Sequence, residues 1–147
     1  MTGVQTCALP ISDKVLVFRK PSDGSDDEAP IPQTMDVDTW QKWASPVWMD
    51  IDQQDTLNRA EARESDDEKH ICPLQLDVID RLIRLWSNPD EVVLSPFGGI
   101  ASEGVGALRA KRRFVGCELK PAYFRVGCRN LKTEEGVEQL SLFGGAA

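Results

Sequence analysis

The pattern of apolar and polar positions in the second half of this chain predicts a helix followed by a strand. Apolar side chains recur at helical spacing from Leu76 to Trp86, so one face of an amphipathic helix is expected to pack on a sheet. Residues 88–90, Asn-Pro-Asp, end that helix in a turn. The apolar run 92–94 then predicts a short buried strand, which the turn residues 95–99 terminate.

A second helix, a second strand and a last helix are predicted after this turn. The second helix starts near Ser102, and the basic residues 111–113 suit the partial negative charge at its carboxyl end. Residues 114–117, Phe-Val-Gly-Cys, predict a strand that ends at Glu118, and a last helix is expected over 121–131. The order strand, helix, strand predicts two parallel strands joined by a crossover helix.

The first half of the chain has fewer apolar segments and is expected to be mostly connection. Residues 15–18, Val-Leu-Val-Phe, predict one strand. Trp40, Trp43 and Trp48 lie close together in an otherwise polar stretch. They either fill a small satellite core or stack on unpaired bases, and packing is favoured because Lys42 alone supplies positive charge nearby.

Charge is distributed unevenly between the two halves. Residues 13–68 contain 6 Lys/Arg and 15 Asp/Glu, whereas residues 69–135 contain 11 and 8. The formal net charge of −7 therefore reflects the acidic stretches 23–28 and 61–68, and it does not exclude a DNA partner for the second half. We expect an acidic, loop-rich segment over 13–68 and a core-forming segment over 69–132.

Cysteine usage is typical of a cytosolic protein, and a cytoplasmic location without a membrane partner is expected. Cys72, Cys117 and Cys128 are scattered, and His70 is the single histidine, so no zinc-binding pattern arises. These residues also form no Ser-His-Asp set. We therefore assign neither a metal ligand nor a catalytic residue.

The glycine-rich turn between the first strand and the second helix indicates a site for a nucleoside-bearing cofactor. Glycines let the backbone approach a ligand at the helix start, and an acid at the tip of the second strand can accept hydrogen bonds from ribose hydroxyls. A dinucleotide site has the pattern G-x-G-x-x-G, but here Ala101 takes the place of the middle glycine. Glu103 also places negative charge where a pyrophosphate would lie, which argues against a nicotinamide cofactor.

Three segments together resemble the amino-group DNA methyltransferases. Residues 95–104, SPFGGIASEG, are similar to their loop for S-adenosylmethionine (AdoMet), D-P-F-x-G-x-G-x-x-G, with Ser95 for the usual Asp and Ala101 for a usual Gly. Residues 114–121, FVGCELKP, resemble the strand and acidic tip that follow. Residues 69–74, KHICPL, resemble the segment that precedes the loop in the β arrangement of motifs, so the resemblance covers 69–132.

This resemblance implies an α/β fold, namely the C-terminal portion of the sheet of a Rossmann-like AdoMet-dependent methyltransferase. It implies that AdoMet is bound by His70, Cys72, Pro73, Ser95, Pro96, Phe97, Gly98, Gly99 and Glu118. The activity implied is methyl transfer to N6 of adenine or N4 of cytosine in double-stranded DNA. A non-catalytic DNA-associated module that retains the pocket is the alternative, followed by a fragment of a nicotinamide-dependent oxidoreductase.

Methyl transfer to an exocyclic amine also requires a tetrapeptide of the form [D/N/S]-P-P-[Y/F/W], which this sequence lacks. Its polar group accepts hydrogen bonds from the target amine and its aromatic ring stacks on the flipped base. The most similar segment is 45–48, Ser-Pro-Val-Trp, but the preceding residues 40–44 do not form an apolar strand. We therefore interpret 45–48 as a structural segment, and we expect the chain by itself to be an inactive fragment.

Both ends of the chain carry separate expectations. Residues 1–12 are interpreted as non-native, because MTGVQTCALPI back-translates from a GTG start into a sequence that resembles a common sequencing-library adapter. Residues 133–147 are expected to form a flexible tail that contains QLSLF. Gln139, Leu140, Leu142 and Phe143 of this motif resemble the peptide with which bacterial replication and repair proteins bind the sliding clamp, although an apolar tail packed on its own domain explains them equally well.

Overall fold

A computed structural model describes residues 14–18, 35–57 and 74–143, with the backbone alone described for 138–143. Its elements in chain order are α1 (Val37–Trp43), α2 (Leu76–Trp86), β1 (Val92–Ser95), α3 (Ser102–Arg109), β2 (Arg113–Gly116) and α4 (Pro121–Phe143). The strand–helix–strand unit and its two flanking helices therefore form where the sequence predicts them.

The two strands form a parallel pair in the described part of the chain. Val92 lies opposite Arg113 and Ser95 lies opposite Gly116, so the strands end together at one edge. The second strand was predicted to include Cys117, but it ends one residue earlier and Cys117 is exposed. The reason is that β1 ends at Ser95. The N–H of Cys117 still donates to the Ser95 carbonyl, but the carbonyl of Cys117 accepts from Gly98 in the turn that follows β1.

Helices α2 and α3 cover one face of this sheet and supply the main core. Ile79 and Ile83 of α2 form a buried cluster with Ala107 and Ala110. Val93 and Phe114 pack against this cluster from the strands. The helices approach closely at Gly106, where an added Cβ would lie 2.5 Å from Cγ2 of Ile79.

The opposite face of the sheet is exposed in the described part of the chain. Val92, Leu94 and Val115 point to this side and are 50%, 65% and 52% exposed. The prediction that 92–94 is buried is therefore wrong for Val92 and Leu94, and Val93 is partly buried. The physical reason is that side chains alternate between the two faces, and the described helices cover one of them.

The basic residues after α3 stabilise helix ends, as their position predicts. The N–H of Arg112 donates to the Ala107 carbonyl and the N–H of Lys111 donates to the Leu108 carbonyl, which is the Schellman arrangement. The buried guanidinium of Arg112 donates to the carbonyl of Ala110 at the end of α3 and, at 2.6 Å, to that of Ser87 at the end of α2. One side chain thus satisfies carbonyls at two helix ends.

Helix α1 lies in the segment that was expected to be loop. Asp36 precedes it, and its carboxylate accepts a hydrogen bond from the Thr39 N–H at 2.9 Å. Aspartate is a favoured N-cap residue, but the helix has no buried residue and thus no apolar periodicity from which the sequence would predict it.

Two further predictions are corrected by the backbone. Residues 14–18 contain no strand and their side chains are exposed, because β1 and β2 pair with each other and no described strand offers them a partner. The segment from 133 onward was expected to be a flexible tail, yet α4 continues through it to Phe143. No proline interrupts this stretch, and the guanidinium of Arg109 in α3 holds Glu134 through two hydrogen bonds of 3.1 Å.

Across the described ranges, no helix is both long enough and apolar enough to cross a membrane.

Candidate functional site

The turn after β1 and the residues after β2 meet at the carboxyl edge of the sheet. The N–H of Cys117 donates to the Ser95 carbonyl at 3.0 Å, and the N–H of Gly98 donates to the Cys117 carbonyl at 2.7 Å. A Cβ on Gly98 would lie 3.2 Å from that carbonyl oxygen, so a side chain there would push the two segments apart. The sequence predicted both segments as parts of one site, and the fold brings them into contact.

Glu118 bridges this edge with both oxygens of its carboxylate. One oxygen accepts a hydrogen bond from the Gly99 N–H at 2.8 Å, and the other accepts one from the Lys120 N–H at 2.7 Å. Each carboxylate oxygen has two acceptor positions, so each retains one for a ligand. Gly99 has φ +52° and open space where a Cβ would be, so a ligand can approach its backbone.

Helix α3 starts directly behind this turn and leaves its first N–H groups without a side-chain cap. Its N-cap residue, Ala101, has the left-handed conformation with φ 65°. The methyl group of Ala101 is buried, and it would lie 3.3 Å from a Cβ on Gly127 of α4. Asn130 of α4 donates from its amide to the Ile100 carbonyl at 2.9 Å. Helix α4 therefore fixes the loop in a conformation that a non-glycine residue rarely adopts.

Apolar side chains flank Glu118 on both segments. Phe97 is 86% exposed and Leu119 is fully exposed, whereas Ser95 is buried. Exposed large apolar side chains beside a glycine turn can cover the flat face of an aromatic ligand. Leu119 was not among the binding residues predicted from the sequence, although an apolar residue immediately after the acid at a strand tip was a signal that could have identified it.

The fold brings together four of the predicted binding residues: Ser95, Gly98, Gly99 and Glu118. Phe97 extends into solvent beside them, and Pro96 is exposed. The remaining three, His70, Cys72 and Pro73, lie outside the described residues. In the described ranges, no three His, Cys, Asp or Glu side chains are grouped as metal ligands would be.

The segment 45–48 takes part in a structural network rather than following a strand. The indole N–H of Trp48 donates to the Trp43 carbonyl at 2.8 Å. The buried guanidinium of Arg81 lies 5.8 Å from the ring centroid of Trp43 and 5.3 Å from that of Trp48. Packing, the favoured interpretation of the tryptophans, is thus confirmed for these two, whereas Trp40 remains 48% exposed.

Asp50 completes this network by pairing with two cations. Its carboxylate lies 2.9 Å from Arg81 and 3.1 Å from Lys42. The hydrogen bonds from Arg81 and Lys42 hold the pKa of Asp50 well below its usual range. The network therefore ties the end of α1 to α2 by charge as well as by packing.

Comparison with known proteins identifies the family of this chain. A family model described as DNA methylase matches residues 10–128. The type II methyltransferase M1.MboII of Moraxella bovis is 39% identical over 54 residues, which are 37% of this chain and 21% of that protein. The DNA adenine methyltransferase YhdJ of Escherichia coli is 37% identical over 64 residues, 44% of this chain and 22% of that protein.

Longer matches come from two further proteins. The type II methyltransferase M.BglI of Bacillus subtilis is 28% identical over 122 residues, 82% of this chain and 31% of that protein. A putative DNA modification methylase from Thermus thermophilus, solved with S-adenosyl-L-methionine, superposes with a TM-score of 0.54 and 25% identity over 82% of this chain and 41% of that one. The chain thus spans about a fifth to a third of the length of the curated relatives.

The family model covers most of the chain and both segments that meet at Glu118. The chain therefore belongs to the DNA methylase family.

Proposed function

We propose that this chain carries the cofactor-binding part of a site-specific DNA methyltransferase. The reaction is transfer of a methyl group from AdoMet to N6 of adenine or N4 of cytosine. The observation that carries the proposal is the hydrogen bond from the Gly99 N–H to Glu118, which sets a carboxylate beside an open glycine turn at a helix start. Family membership and a structural neighbour solved with S-adenosyl-L-methionine support the same cofactor.

The described residues fit a nucleoside by their donors, acceptors and shape. The remaining acceptor positions of Glu118 suit the two ribose hydroxyls, since a diol can donate one hydrogen bond to each oxygen. Phe97 and Leu119 can cover the adenine ring. His70, Cys72 and Pro73 are proposed for the methionine end on the resemblance alone. When bound, AdoMet supplies an electrophilic methyl group on a sulfonium, and the residues named here bind and orient it.

We further propose that residues 69–132 form the cofactor-binding part of a Rossmann-like sheet that is larger than its two described strands. The exposed apolar face at Val92, Leu94 and Val115 supports this proposal, because parallel sheets are usually covered on both faces. The superposition on the Thermus methylase, over less than half of that chain, supports it as well.

No residue of this chain is proposed as catalytic. The group that would bind the target amine must lie after a strand, whereas Ser45 follows α1 and its hydroxyl donates to the Val47 carbonyl at 3.2 Å. The ring of Trp48 is engaged by Arg81. We propose that residues 45–48 are structural, so Ser45→Ala should not alter any methyl transfer that the protein performs.

Residues 139–143 are proposed as a binding peptide for a bacterial sliding clamp. The support is the QLSLF sequence itself, and the backbone places it in the last turns of α4. Binding in a pocket would require this end of the helix to open, which is least costly at a helix terminus.

Titration calorimetry on the 147-residue chain tests the function. The expected result is binding of AdoMet and no binding of NADH. Binding of NADH without AdoMet would replace the proposal by the oxidoreductase alternative. If AdoMet binds, analysis of labelled nucleosides after incubation of a full-length family member containing this segment with DNA and labelled AdoMet decides between N6-methyladenine and N4-methylcytosine.

A further inference from the structure

Residue 101 departs from the glycine pattern of the cofactor loop, yet its backbone keeps a conformation typical of glycine. Ala101 has φ 65°, which is uncommon for a residue with a Cβ. Its N–H donates to the Gly98 carbonyl at 2.7 Å and so closes the turn. Gly99, whose N–H donates to Glu118, lies inside this turn. A change in the backbone of Ala101 is therefore passed through the turn to the N–H group that orients the carboxylate.

Helix α4 supplies the surface on which this turn rests. The methyl group of Ala101 is buried, and a Cβ built on Gly127 would lie 3.3 Å from it. Carbon atoms make their best contact at about 3.5–4.0 Å, so the site has no room for a methyl group on both residues. The same Cβ would lie 3.4 Å from the carbonyl oxygen of Gly99, which is an ordinary contact. The tightest contact would be with the side chain of Ala101, and glycine at position 127 avoids it.

Two further contacts hold α4 against the turn. Val126 and Ile100 form a buried cluster, and the amide of Asn130 donates to the Ile100 carbonyl at 2.9 Å. The hydrogen bonds of α4 keep its backbone rigid, whereas Ala101 can relieve a close contact by returning to the negative φ that L-residues favour. When this interface is overfilled, the turn should therefore shift rather than the helix.

We infer that Gly127 is a positioning residue for the cofactor turn and is matched in size to Ala101. The missing Cβ of Gly127 makes room for the methyl group at residue 101, so the pair keeps the turn in the shape that sets Gly99 against Glu118. The inference rests on the proposed function for the identity of the ligand, AdoMet. It assigns α4 a part in cofactor binding that Gly127 exerts through the turn.

A double-substitution cycle on the 147-residue chain tests this pairing. Titration calorimetry measures AdoMet affinity for the wild type, Gly127→Ala, Ala101→Gly and the double variant. With Ala101 present, Gly127→Ala should weaken AdoMet binding roughly tenfold, because the overfilled contact displaces the turn. In the Ala101→Gly background the same substitution should leave the affinity unchanged, because the added Cβ then has room. An equal loss in both backgrounds, or no loss in either, would overturn the inference.

A second position in α4 provides the matched control. Gly136→Ala makes the same change where a Cβ would meet nothing within 4 Å, so it should leave AdoMet affinity unchanged. Thermal melting shows whether each variant is folded at the titration temperature. If Gly127→Ala is unfolded there, the inference requires that adding Ala101→Gly restores both folding and AdoMet binding. A double variant that stays unfolded would contradict it.

Hydrogen exchange at Gly99 separates this inference from the proposed function. Without ligand, the Gly99 amide proton should exchange roughly tenfold faster in Gly127→Ala than in the wild type, as measured by NMR. Its exchange rate should be the same in Ala101→Gly and in the double variant. If the wild-type chain fails to bind AdoMet but shows this exchange pattern, the cofactor proposal fails and the positioning role stands. If AdoMet binds and Gly127→Ala changes neither affinity nor exchange, the positioning role fails and the cofactor proposal stands.

Discussion

The carboxylate of Glu118 accepts a hydrogen bond from the backbone N–H of Gly99 at 2.8 Å, across 19 residues of sequence. This bond joins the tip of β2 to the turn after β1. The second oxygen of the same carboxylate accepts from the Lys120 N–H and so orients the residues that lead into α4. Glu118 is therefore a part of the loop structure, and it is also the residue that we propose as the acceptor for ribose hydroxyls.

Glu118→Ala should weaken AdoMet binding, because it removes charge-assisted hydrogen bonds to the ribose. The expected loss is about 1.5–3 kcal/mol, or roughly tenfold to hundredfold in affinity. Titration calorimetry on the full chain measures it. Glu135→Ala, which removes an exposed carboxylate from α4, is the control and should bind as the wild type does. Unchanged affinity in Glu118→Ala would refute the site assignment.

Lys111→Gly should stabilise the protein. Lys111 has φ 59° at the position after the last turn of α3, where glycine adopts the left-handed conformation without steric cost. The gain should be about 1 kcal/mol in the free energy of unfolding, measured by urea denaturation. Lys111→Ala also removes the charge but keeps a Cβ, so it should show little gain. Equal effects of the two variants would mean that charge and not backbone strain is responsible.

Gly106→Ala should destabilise the protein, although alanine is the better helix former. An added Cβ would meet Cγ2 of Ile79 at 2.5 Å and Cδ1 of Ile83 at 3.3 Å, in the interface between α2 and α3. Overpacking of this kind costs about 1–3 kcal/mol. Gly136→Ala in α4 meets nothing within 4 Å and should instead stabilise by about 0.5–1 kcal/mol. The free energy of unfolding of both variants is measured by thermal or urea denaturation. If Gly106→Ala stabilised the protein and Gly136→Ala destabilised it, the described helix packing would be wrong.

The ion pairs of Asp50 should make stability depend on acid pH. The hydrogen bonds from Arg81 and Lys42 lower its pKa in the folded state, so its contribution is complete above the pKa of an unfolded aspartate, about 4, and is lost as the pH falls through the lower folded value. The difference in melting temperature between wild type and Asp50→Asn should therefore shrink as the pH is lowered from about 5 to 2. Asp55→Asn, an exposed neighbour, serves as control, and a difference that stays constant with pH would contradict this account.

A peptide of residues 136–147 should bind a bacterial sliding clamp if QLSLF is a docking motif. Leu142→Ala and Phe143→Ala should each weaken binding in a fluorescence competition assay, because apolar anchors carry most of the affinity of short peptides. Ser141→Ala lies within the same motif and should bind as well as the original peptide. The clamp proposal has to be dropped if the peptide does not bind, or if the anchor substitutions have no more effect than Ser141→Ala.

The order and nature of the central elements could be predicted from the sequence. Apolar periodicity located α2, the run 92–94 located β1, and the glycine turn followed by Ser102 located the start of α3. These features are local, because they depend on side chains within a few positions of one another. The glycine turn and the acid at Glu118 also identified the two segments of the candidate site before their contact was known.

How these segments are held together and where they end depends on contacts between residues that are distant in the sequence. The bond between Gly99 and Glu118, the contact of Ala101 with Gly127, and the cation–π contacts of Arg81 join positions that no periodicity relates. Helix α4 is a further example. It continues to Phe143, and Glu134 within it pairs with Arg109 of α3. Residues 14–18 have a strand-like sequence but form no strand. A strand needs another strand to satisfy its backbone N–H and C=O groups.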